Sequence, residues 1–278
     1  MSLYQHIAES YDDLFPLNKA CIEALEALVP VSETRRGKSA LALGNTGSRG
    51  TAGEATARQN RPRRVLDLGS ATGALIAALE DRGWEALGIE LDPDMAAKSR
   101  GKVAQGSMLE AETIIRAVYK HAEGGGKDET PADPCFDAVL CLGNTLPHIR
   151  QAEYDSFFAS VSRLLGSGGL FIIQTLNYSH PSVKPGFAFP PISAGSSVFS
   201  RSYEAGTDSA TLTFATDISI EGKHYRDKTT MYPVKPEALD EALERAGFGA
   251  IRRYAGWDLA AFDPNLDLYC ITIAEKTL

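Results

Sequence analysis

An aspartate, two glycines and a glutamate between residues 67 and 90 could together hold a ribose-containing ligand. Asp67 and the two glycines follow the pattern Asp67-x-Gly69-x-x-x-Gly73, and Glu90 comes about twenty residues after the turn. Glycines in a turn let the backbone approach a ligand because no Cβ stands in the way. An acid at the end of a second strand can accept hydrogen bonds from a ribose diol. The spacing therefore predicts a nucleoside-binding turn.

The glycine spacing argues against a dinucleotide as that ligand. The dinucleotide fingerprint is Gly-x-Gly-x-x-Gly, and Ala71 stands where its middle glycine would be. The segment instead resembles the first motif of the class I S-adenosylmethionine-dependent methyltransferases. The resemblance is strengthened by Glu90 and by the Asp92-Pro93-x-Met95 run that follows it. It implies S-adenosylmethionine as the cofactor and S-adenosylhomocysteine as its product.

The resemblance also implies which residues bind the cofactor. Met95 either covers the adenine or only packs its helix. Ser107 replaces the aspartate of the family's third motif, so the expected adenine contact there is the backbone N–H of Met108. Asp67 either fixes the turn or contacts the cofactor's amino group through water. The full predicted set is Tyr11, Asp67, Gly69, Ser70, Gly73, Glu90, Leu91, Met95, Ser107, Met108, Leu142 and Gly143.

The segment Gly143-Asn144-Thr145-Leu-Pro-His148 follows the fourth predicted strand. Fourth-strand ends in doubly wound sheets point into the ligand crevice. The run resembles the glycine and sarcosine N-methyltransferase branch of the family. Asn144 is expected to orient the acceptor or the cofactor, or to be a turn residue. His148 and Tyr178 are the candidates for a general base, should the acceptor need one.

Polar residues near the fifth strand and in the following segment could contact the acceptor. Asn177 closes the fifth strand, and Arg201 and Tyr203 lie two residues apart on one face of a later strand. Arg226 lies on another strand. An arginine in a lid suits a carboxylate or phosphate on the substrate, although a solvated surface arginine is the commoner case. Tyr11 belongs to an entry segment in which the resemblance implies an aromatic closing over the cofactor.

The elements that must position these residues alternate between strand and helix from residue 64. Predicted strands are 64–68, 85–90, 102–105, 136–142 and 169–176, and predicted helices are 73–82, 93–100, 108–121 and 151–165. Such alternation predicts a Rossmann-like, doubly wound α/β sheet. Strand-like runs 197–203, 211–220 and 225–232 predict an inserted antiparallel cap. A helix over 236–246 and strands over 249–254 and 267–275 complete seven strands, of which the resemblance implies that the last is antiparallel.

The predicted organisation is an N-terminal helical cap over 1–31, a flexible loop over 32–62 and a core over 63–278. The β cap is inserted at 180–234. Net charge is −8 and the isoelectric point is about 5.2. This acidic balance disfavours nucleic acid as a partner, since binding to phosphates needs a basic face. No apolar run has the length of a membrane span, and the start of the chain lacks a signal peptide's pattern, so a cytoplasmic location is expected.

The four cysteines show no metal-ligand spacing, so no metal is expected. We expect these cysteines to be buried thiols in a reducing compartment. The predicted function is methyl transfer to a small-molecule acceptor, and the resemblance favours an amine. Methylation of oxygen or carbon, a non-catalytic protein that retains the cofactor, and an NAD-dependent dehydrogenase remain as alternatives. The oligomeric state stays open.

Overall fold

The computed structural model describes residues 7–29, 61–122 and 135–277. The predicted loop 32–62 lies outside these residues except for its last two positions. At the N-terminal end are helices α1 (Tyr11–Leu14) and α2 (Lys19–Leu28). Helix α2 begins after Asn18, whose side-chain oxygen accepts the N–H of Ala20 at 3.0 Å. This bond satisfies one of the N–H groups that a helix leaves unpaired at its start.

A seven-stranded sheet forms the centre of the described structure. Its first five strands are β1 (Arg64–Leu68), β2 (Glu85–Glu90), β3 (Val103–Gln105), β4 (Phe136–Cys141) and β5 (Leu165–Leu176). They lie parallel in the order β5-β4-β1-β2-β3. The last two strands, β10 (Phe248–Tyr254) and β11 (Tyr269–Lys276), extend the sheet beyond β5. Strand β11 is antiparallel to both of its neighbours, which confirms the predicted antiparallel last strand.

Helices pack on both faces of this sheet because each crossover between parallel strands must cover one of its faces. They are α3 (Ala74–Glu80), α4 (Pro93–Ala97), α5 (Ala111–Ala122), α6 (Tyr154–Leu164) and α7 (Pro236–Arg245). Three single turns of 3₁₀ helix occupy Met108–Glu110, Leu146–His148 and Gln151–Glu153. The buried side chains form two large apolar clusters, one built around Phe157, Phe158 and Phe171 and the other around Leu25, Ile76 and Leu79.

A second, four-stranded antiparallel sheet follows β5 and forms the predicted cap. It comprises β6 (Ile192–Ala194), β7 (Ser197–Ala205), β8 (Leu212–Ile220) and β9 (Lys223–Met231), in chain order. The short strand β6 was not predicted, since three residues are too few to show alternation. Strand β7 buries Phe199 and Tyr203 on one face and exposes Val198 and Ser200 on the other. The cap therefore presents an aromatic face toward the rest of the protein.

The predicted fold class is confirmed. The boundaries given to the N-terminal helical cap, the core and the inserted β cap stay a prediction. Within the three described ranges, no helix has both the length and the apolar character needed to cross a membrane.

Candidate active site

The glycine turn after β1 is held against the end of β2. The N–H groups of Gly69 and Ser70 donate to the carbonyl oxygen of Ile89 at 2.8 and 3.1 Å. Gly69, Ala71 and Gly73 have φ angles of +81°, +50° and +69°. Glycine adopts this left-handed region without the steric cost that a Cβ imposes. The turn can therefore reverse tightly into α3.

Packing against neighbouring loops also constrains the two glycines, whose expected role toward the cofactor stays a prediction. A Cβ at Gly69 would lie 2.7 Å from Cγ2 of Thr145, in the loop after β4. A Cβ at Gly73 would lie 2.7 Å from Oγ of Ser99. Both glycines are thus required by the packing of neighbouring loops around the turn.

Glu90 is fixed at the end of β2 by two backbone donors. Its Oε2 accepts the N–H of Ala71 at 2.8 Å, and its Oε1 accepts the N–H of Asp92 at 2.9 Å. Each carboxylate oxygen has more than one acceptor site, so both can still receive a hydroxyl hydrogen. The carboxylate is therefore held in a fixed orientation, and it remains able to bind a diol.

Two buried polar atoms at the turn have no hydrogen-bond partner among the residues that the structure describes. They are Oδ1 of Asp67 and Oγ of Ser70. Burial, and secondarily the negative charge of Glu90, raises the pKa of Asp67 to about 7. Burial also raises the pKa of the Cys141 thiol, and Asp67 contributes to that shift. Unpaired buried oxygens in a native structure call for a bound partner such as water or ligand.

Of the residues expected near the adenine, some are buried in the core and others are exposed to solvent. Met95 is only 1% exposed, so the structure favours helix packing over adenine contact for this side chain. Leu91 is 68% exposed despite being apolar. Oγ of Ser107 accepts the N–H of Leu109 at 3.2 Å and caps the 3₁₀ turn that begins at Met108. The side chain of Leu109 is 40% exposed beside them, a residue that the sequence analysis missed.

Helix α1 is tied to the glycine turn through Asp12. Its Oδ1 accepts from Oγ1 of Thr72 at 2.5 Å, and its Oδ2 pairs with Nη2 of Arg100 at 3.0 Å. Tyr11, the neighbouring residue, packs on Phe15 with ring centroids 4.9 Å apart. Tyr11 thus belongs to a helix that is hydrogen-bonded to the glycine turn. Asp12 was not identified from the sequence, because nothing local indicates its distant partners.

The loop after β4 leaves open space next to the turn. Gly143 has a φ of +65°, and a Cβ built there would meet no atom within 4 Å. Leu142 packs partly against the core, and its carbonyl oxygen accepts from Oγ1 of Thr145 at 2.6 Å. This opening adjoins Asn144, the next residue.

Asn144, Tyr178 and Tyr203 form one hydrogen-bonded cluster, called here the amide–tyrosine cluster. Nδ2 of Asn144 donates to the hydroxyl oxygens of Tyr178 at 3.0 Å and of Tyr203 at 3.2 Å. The two hydroxyl groups lie 3.0 Å apart. Burial raises the pKa of both tyrosines well above that of a free phenol, so both stay protonated at neutral pH. The cluster is therefore polar and uncharged.

The backbone around Asn144 explains why its side chain is held. Asn144 has a φ of +65°, a region that asparagine tolerates better than most residues. Its N–H donates to the carbonyl of Gln174 at 3.0 Å, and its Oδ1 accepts the N–H of Leu176 at 2.9 Å. The end of β4 is thus tied to the end of β5, and the side chain has one orientation.

His148 ends the following 3₁₀ turn. Its side chain is exposed, yet the surrounding protein desolvates the imidazole and lowers its pKa below the usual value. The imidazole is neutral at neutral pH and could accept a proton. Within the described part of the chain it has no hydrogen bond to the amide–tyrosine cluster.

Two predicted substrate residues are engaged elsewhere. Both amide hydrogens of Asn177 donate, at 2.8 Å each, to the carbonyl oxygens of Pro264 and Asp267, and its Oδ1 accepts the N–H of Ser179 at 3.1 Å. The Nε of Arg226 pairs with Asp217 at 2.6 Å, and its side chain is 73% exposed. Asn177 is therefore a loop anchor and Arg226 a surface residue, contrary to their expected role.

Arg201 is placed differently. It is partly buried, and its guanidinium carbon lies 4.9 Å from the ring centre of Phe189 and 5.6 Å from those of Phe15 and Phe199. Arg201 and Tyr203 do share one face of β7, as predicted.

Among the described residues, no group of three or more His, Cys, Asp or Glu side chains could hold a metal ion.

Comparison with known proteins identifies the family. A family model described as "Methyltransferase domain" matches residues 51–253. Glycine N-methyltransferase of Oryctolagus cuniculus is 30% identical over 132 residues, which are 44% of this chain and 44% of that protein. A ubiquinone biosynthesis O-methyltransferase of Alkalilimnicola ehrlichii is 34% identical over 118 residues, covering 41% of this chain and 42% of that protein. The chain thus spans less than half the length of these curated relatives.

Among solved structures, the CcbJ methyltransferase from Streptomyces caelestis superposes with a TM-score of 0.66 at 21% identity. The match covers 98% of this chain and 96% of that one, and it shows a common fold. The family model spans more than half of the chain. The chain therefore belongs to the methyltransferase domain family, which confirms the family resemblance seen in the sequence.

Proposed function

We propose that this protein transfers the methyl group of S-adenosylmethionine to the nitrogen of a small-molecule amine. The observation that carries the proposal is the uncharged amide–tyrosine cluster at the ends of β4 and β5. Parallel sheets of this kind bind their ligands at the carboxyl ends of the strands. The relatives named as glycine N-methyltransferases support an amine as the acceptor.

The residues around the glycine turn fit the cofactor. Glu90, held by two backbone N–H groups, suits the ribose diol, and the unpartnered oxygens of Asp67 and Ser70 suit water or polar groups near the turn. The exposed Leu91 and Leu109 suit the flat faces of an adenine ring. When bound, S-adenosylmethionine supplies an electrophilic methyl group.

The amide–tyrosine cluster has the chemistry to orient a neutral amine. The hydroxyl oxygen of the partly buried Tyr178 can accept an N–H group of an amine while the amine's lone pair stays free. Tyr203 is only 1% exposed, so its hydroxyl orients Tyr178 and Asn144 from behind. A neutral amine needs no general base in its reaction, and alignment provides most of the rate enhancement. Because burial raises the pKa of both phenols, neither serves as a base near neutral pH. We therefore assign Tyr178 to orienting the acceptor and not to accepting its proton.

Methylation of oxygen or carbon would depend on His148. The lowered pKa of its imidazole keeps it neutral and able to accept a proton, and one relative is named as an O-methyltransferase. A neutral amine needs no such base, so the amine is the acceptor class that the amide–tyrosine cluster can serve by itself.

A methyl-transfer screen tests the proposal. Purified protein and S-adenosylmethionine carrying a radiolabelled methyl group are incubated with matched panels of amines, phenols and aliphatic alcohols. We expect label in amines, and we expect Asn144→Asp and Tyr178→Phe to lower kcat about tenfold or more with the cofactor's Kd unchanged. Label confined to phenols, with loss of that activity in His148→Asn, would contradict the proposal. Calorimetry that detects NAD but not S-adenosylmethionine would favour the dehydrogenase, and cofactor binding without any transfer would favour a non-catalytic protein.

A further inference from the structure

The cap places one cation, Arg201, between three parts of the protein. Its guanidinium is surrounded by Phe15 from the N-terminal segment and by Phe189 and Phe199 from the cap. The phenol of Tyr269, at the start of β11, is close enough to affect it electrostatically, as are those of Tyr11 and Tyr203. Tyr269 lies opposite Leu176, at the end of β5. Arg201 therefore lies near the carboxyl edge of the central sheet.

The partly buried guanidinium of Arg201 makes few hydrogen bonds. Within the described residues, Arg201 forms no salt bridge with an acid. Its buried Nε has no hydrogen-bond partner, and its Nη2 makes one long bond, of 3.4 Å, to the carbonyl oxygen of Pro190. Burial lowers the pKa of the guanidinium, as expected for a desolvated cation without a counter-ion. Aromatic faces compensate only part of that cost.

The other arginines near the described core and cap show the contrast. Arg226, on the neighbouring cap strand β9, pairs with Asp217 at 2.6 Å, and Arg64 of β1 pairs with Glu85 at 2.6 Å. Among these three, Arg201, next to the amide–tyrosine cluster, is the one without an acid. Arg63, just before β1, also has no ion pair within the described residues and stacks on Trp84, but it lies away from the amide–tyrosine cluster. A buried charge is normally paired, so a half-buried guanidinium without an acid is suited to bind an anionic ligand group.

We propose that Arg201 forms the anion subsite of the acceptor, which is an amine carrying a carboxylate or phosphonate-like group several bonds away from its nitrogen. This inference rests on the proposed amine methylation. The expected separation is guided by β7, since residues two apart on one strand face have Cα atoms about 7 Å apart. Tyr203 contacts Asn144 at the amine-orienting cluster, and Arg201 lies one step further along the strand.

This geometry favours longer acceptors over glycine. In an α-amino acid a single carbon separates the nitrogen from the carboxylate. We expect such a molecule to be too short to bind the amide–tyrosine cluster and Arg201 at the same time. A chain of several carbons, ending in an anion, spans the two subsites.

The test compares four acceptors that differ in length and charge. They are glycine, 5-aminopentanoate, 3-aminopropylphosphonate and the neutral pentylamine. KM and kcat are measured for wild type, Arg201→Met, Arg201→Lys and, as a matched control, Lys228→Gln. Lys228 is an exposed cap lysine paired with Glu204 at 2.6 Å. Melting temperatures establish that each variant is folded.

We expect Arg201→Met to raise the KM of the two long anionic amines about tenfold or more, because a charge-assisted bond is lost. The KM of pentylamine and the Kd of S-adenosylmethionine should stay unchanged. Arg201→Lys should recover part of the effect, and Lys228→Gln should behave as wild type. The two anionic acceptors distinguish carboxylate from phosphonate recognition. Equal losses for pentylamine, or glycine as the acceptor with the lowest KM, would overturn the proposal.

Binding without turnover separates the two proposals. Calorimetry with S-adenosylhomocysteine present measures the affinity of 5-aminopentanoate and pentylamine for wild type and Arg201→Met. Arg201-dependent binding of 5-aminopentanoate without methyl transfer would refute the amine methylation and leave the anion subsite standing. Methyl transfer to pentylamine without any Arg201-dependent binding of the anionic amines would refute the subsite alone.

Discussion

The substitution Asp67→Asn should make the stability of the protein less dependent on pH. Asp67 is 5% exposed beneath the glycine turn, and its Oδ1 has no hydrogen-bond partner. Burial is the larger cause, and the charge of Glu90 the smaller one, of a pKa raised from 3.8 to about 7. Asparagine has nearly the same shape and carries no charge at any pH. The substitution therefore removes the ionisation and leaves the packing close to unchanged.

The sign follows from proton binding in the two states. Between pH 3.8 and about 7 the folded protein keeps a proton on Asp67 that the unfolded chain has released. Stability therefore falls as pH rises through this window. A tenfold change in an acid constant is worth about 1.4 kcal/mol, so the whole window corresponds to about 4 kcal/mol. About 2 kcal/mol of that loss falls between pH 5.5 and pH 8.

Urea unfolding followed by circular dichroism measures this effect. Wild type, Asp67→Asn and the control Asp81→Asn, which changes an exposed acid, are unfolded without cofactor at several values from pH 5.5 to pH 8. The free energy of unfolding of wild type should fall by about 2 kcal/mol relative to Asp67→Asn across this range. The control should follow wild type. Parallel curves for wild type and Asp67→Asn would show that Asp67 ionises normally, and the reasoning would be refuted.

Three further predictions concern the turn and its surroundings. Glu90→Ala should weaken S-adenosylmethionine binding by about 1–3 kcal/mol in calorimetry, and unchanged affinity in a folded variant would remove the ribose role. Gly69→Ala should lower the melting temperature because of its positive φ and its contact with Thr145, and adding Thr145→Ser should recover part of the loss; no recovery would place the conflict elsewhere. Asp12→Ala should speed proteolysis of the N-terminal segment, because its bonds to Thr72 and Arg100 are lost, and unchanged cleavage would show that other contacts hold the segment.

The sequence predicted the central sheet closely because its strands are buried on both faces. Strands β1 and β2 have the predicted bounds, and β4 differs by one residue. Such strands are continuous apolar runs bounded by glycine or proline. This signal is local, so the strands can be predicted without knowing which residues they contact. Strand β5 begins at Leu165, four residues earlier than predicted, because Gly166, Gly168 and Gly169 do not resemble a strand in sequence.

Side-chain roles that depend on distant partners were less predictable. Period-two alternation placed Arg201 and Tyr203 on one face of β7. It could not predict whether an arginine on β9 forms an ion pair. Arg226 did so, because Asp217 is its register neighbour on β8. The amide of Asn177 bonds to a loop about ninety residues later in the chain, and no nearby residue indicates this.

The proposed cofactor half and the proposed acceptor half of the site differ in how far apart their residues lie along the chain. The proposed cofactor half lies mainly between Asp67 and Leu109, in one continuous stretch, and a motif can represent such a stretch. The proposed acceptor half is assembled from the N-terminal segment, the loop after β4, the end of β5 and the cap. Asn144 reaches Tyr178 across 34 positions and Tyr203 across 59. A sequence motif therefore identifies the methyl donor, whereas the acceptor depends on contacts that exist only after the cap has folded onto the sheet.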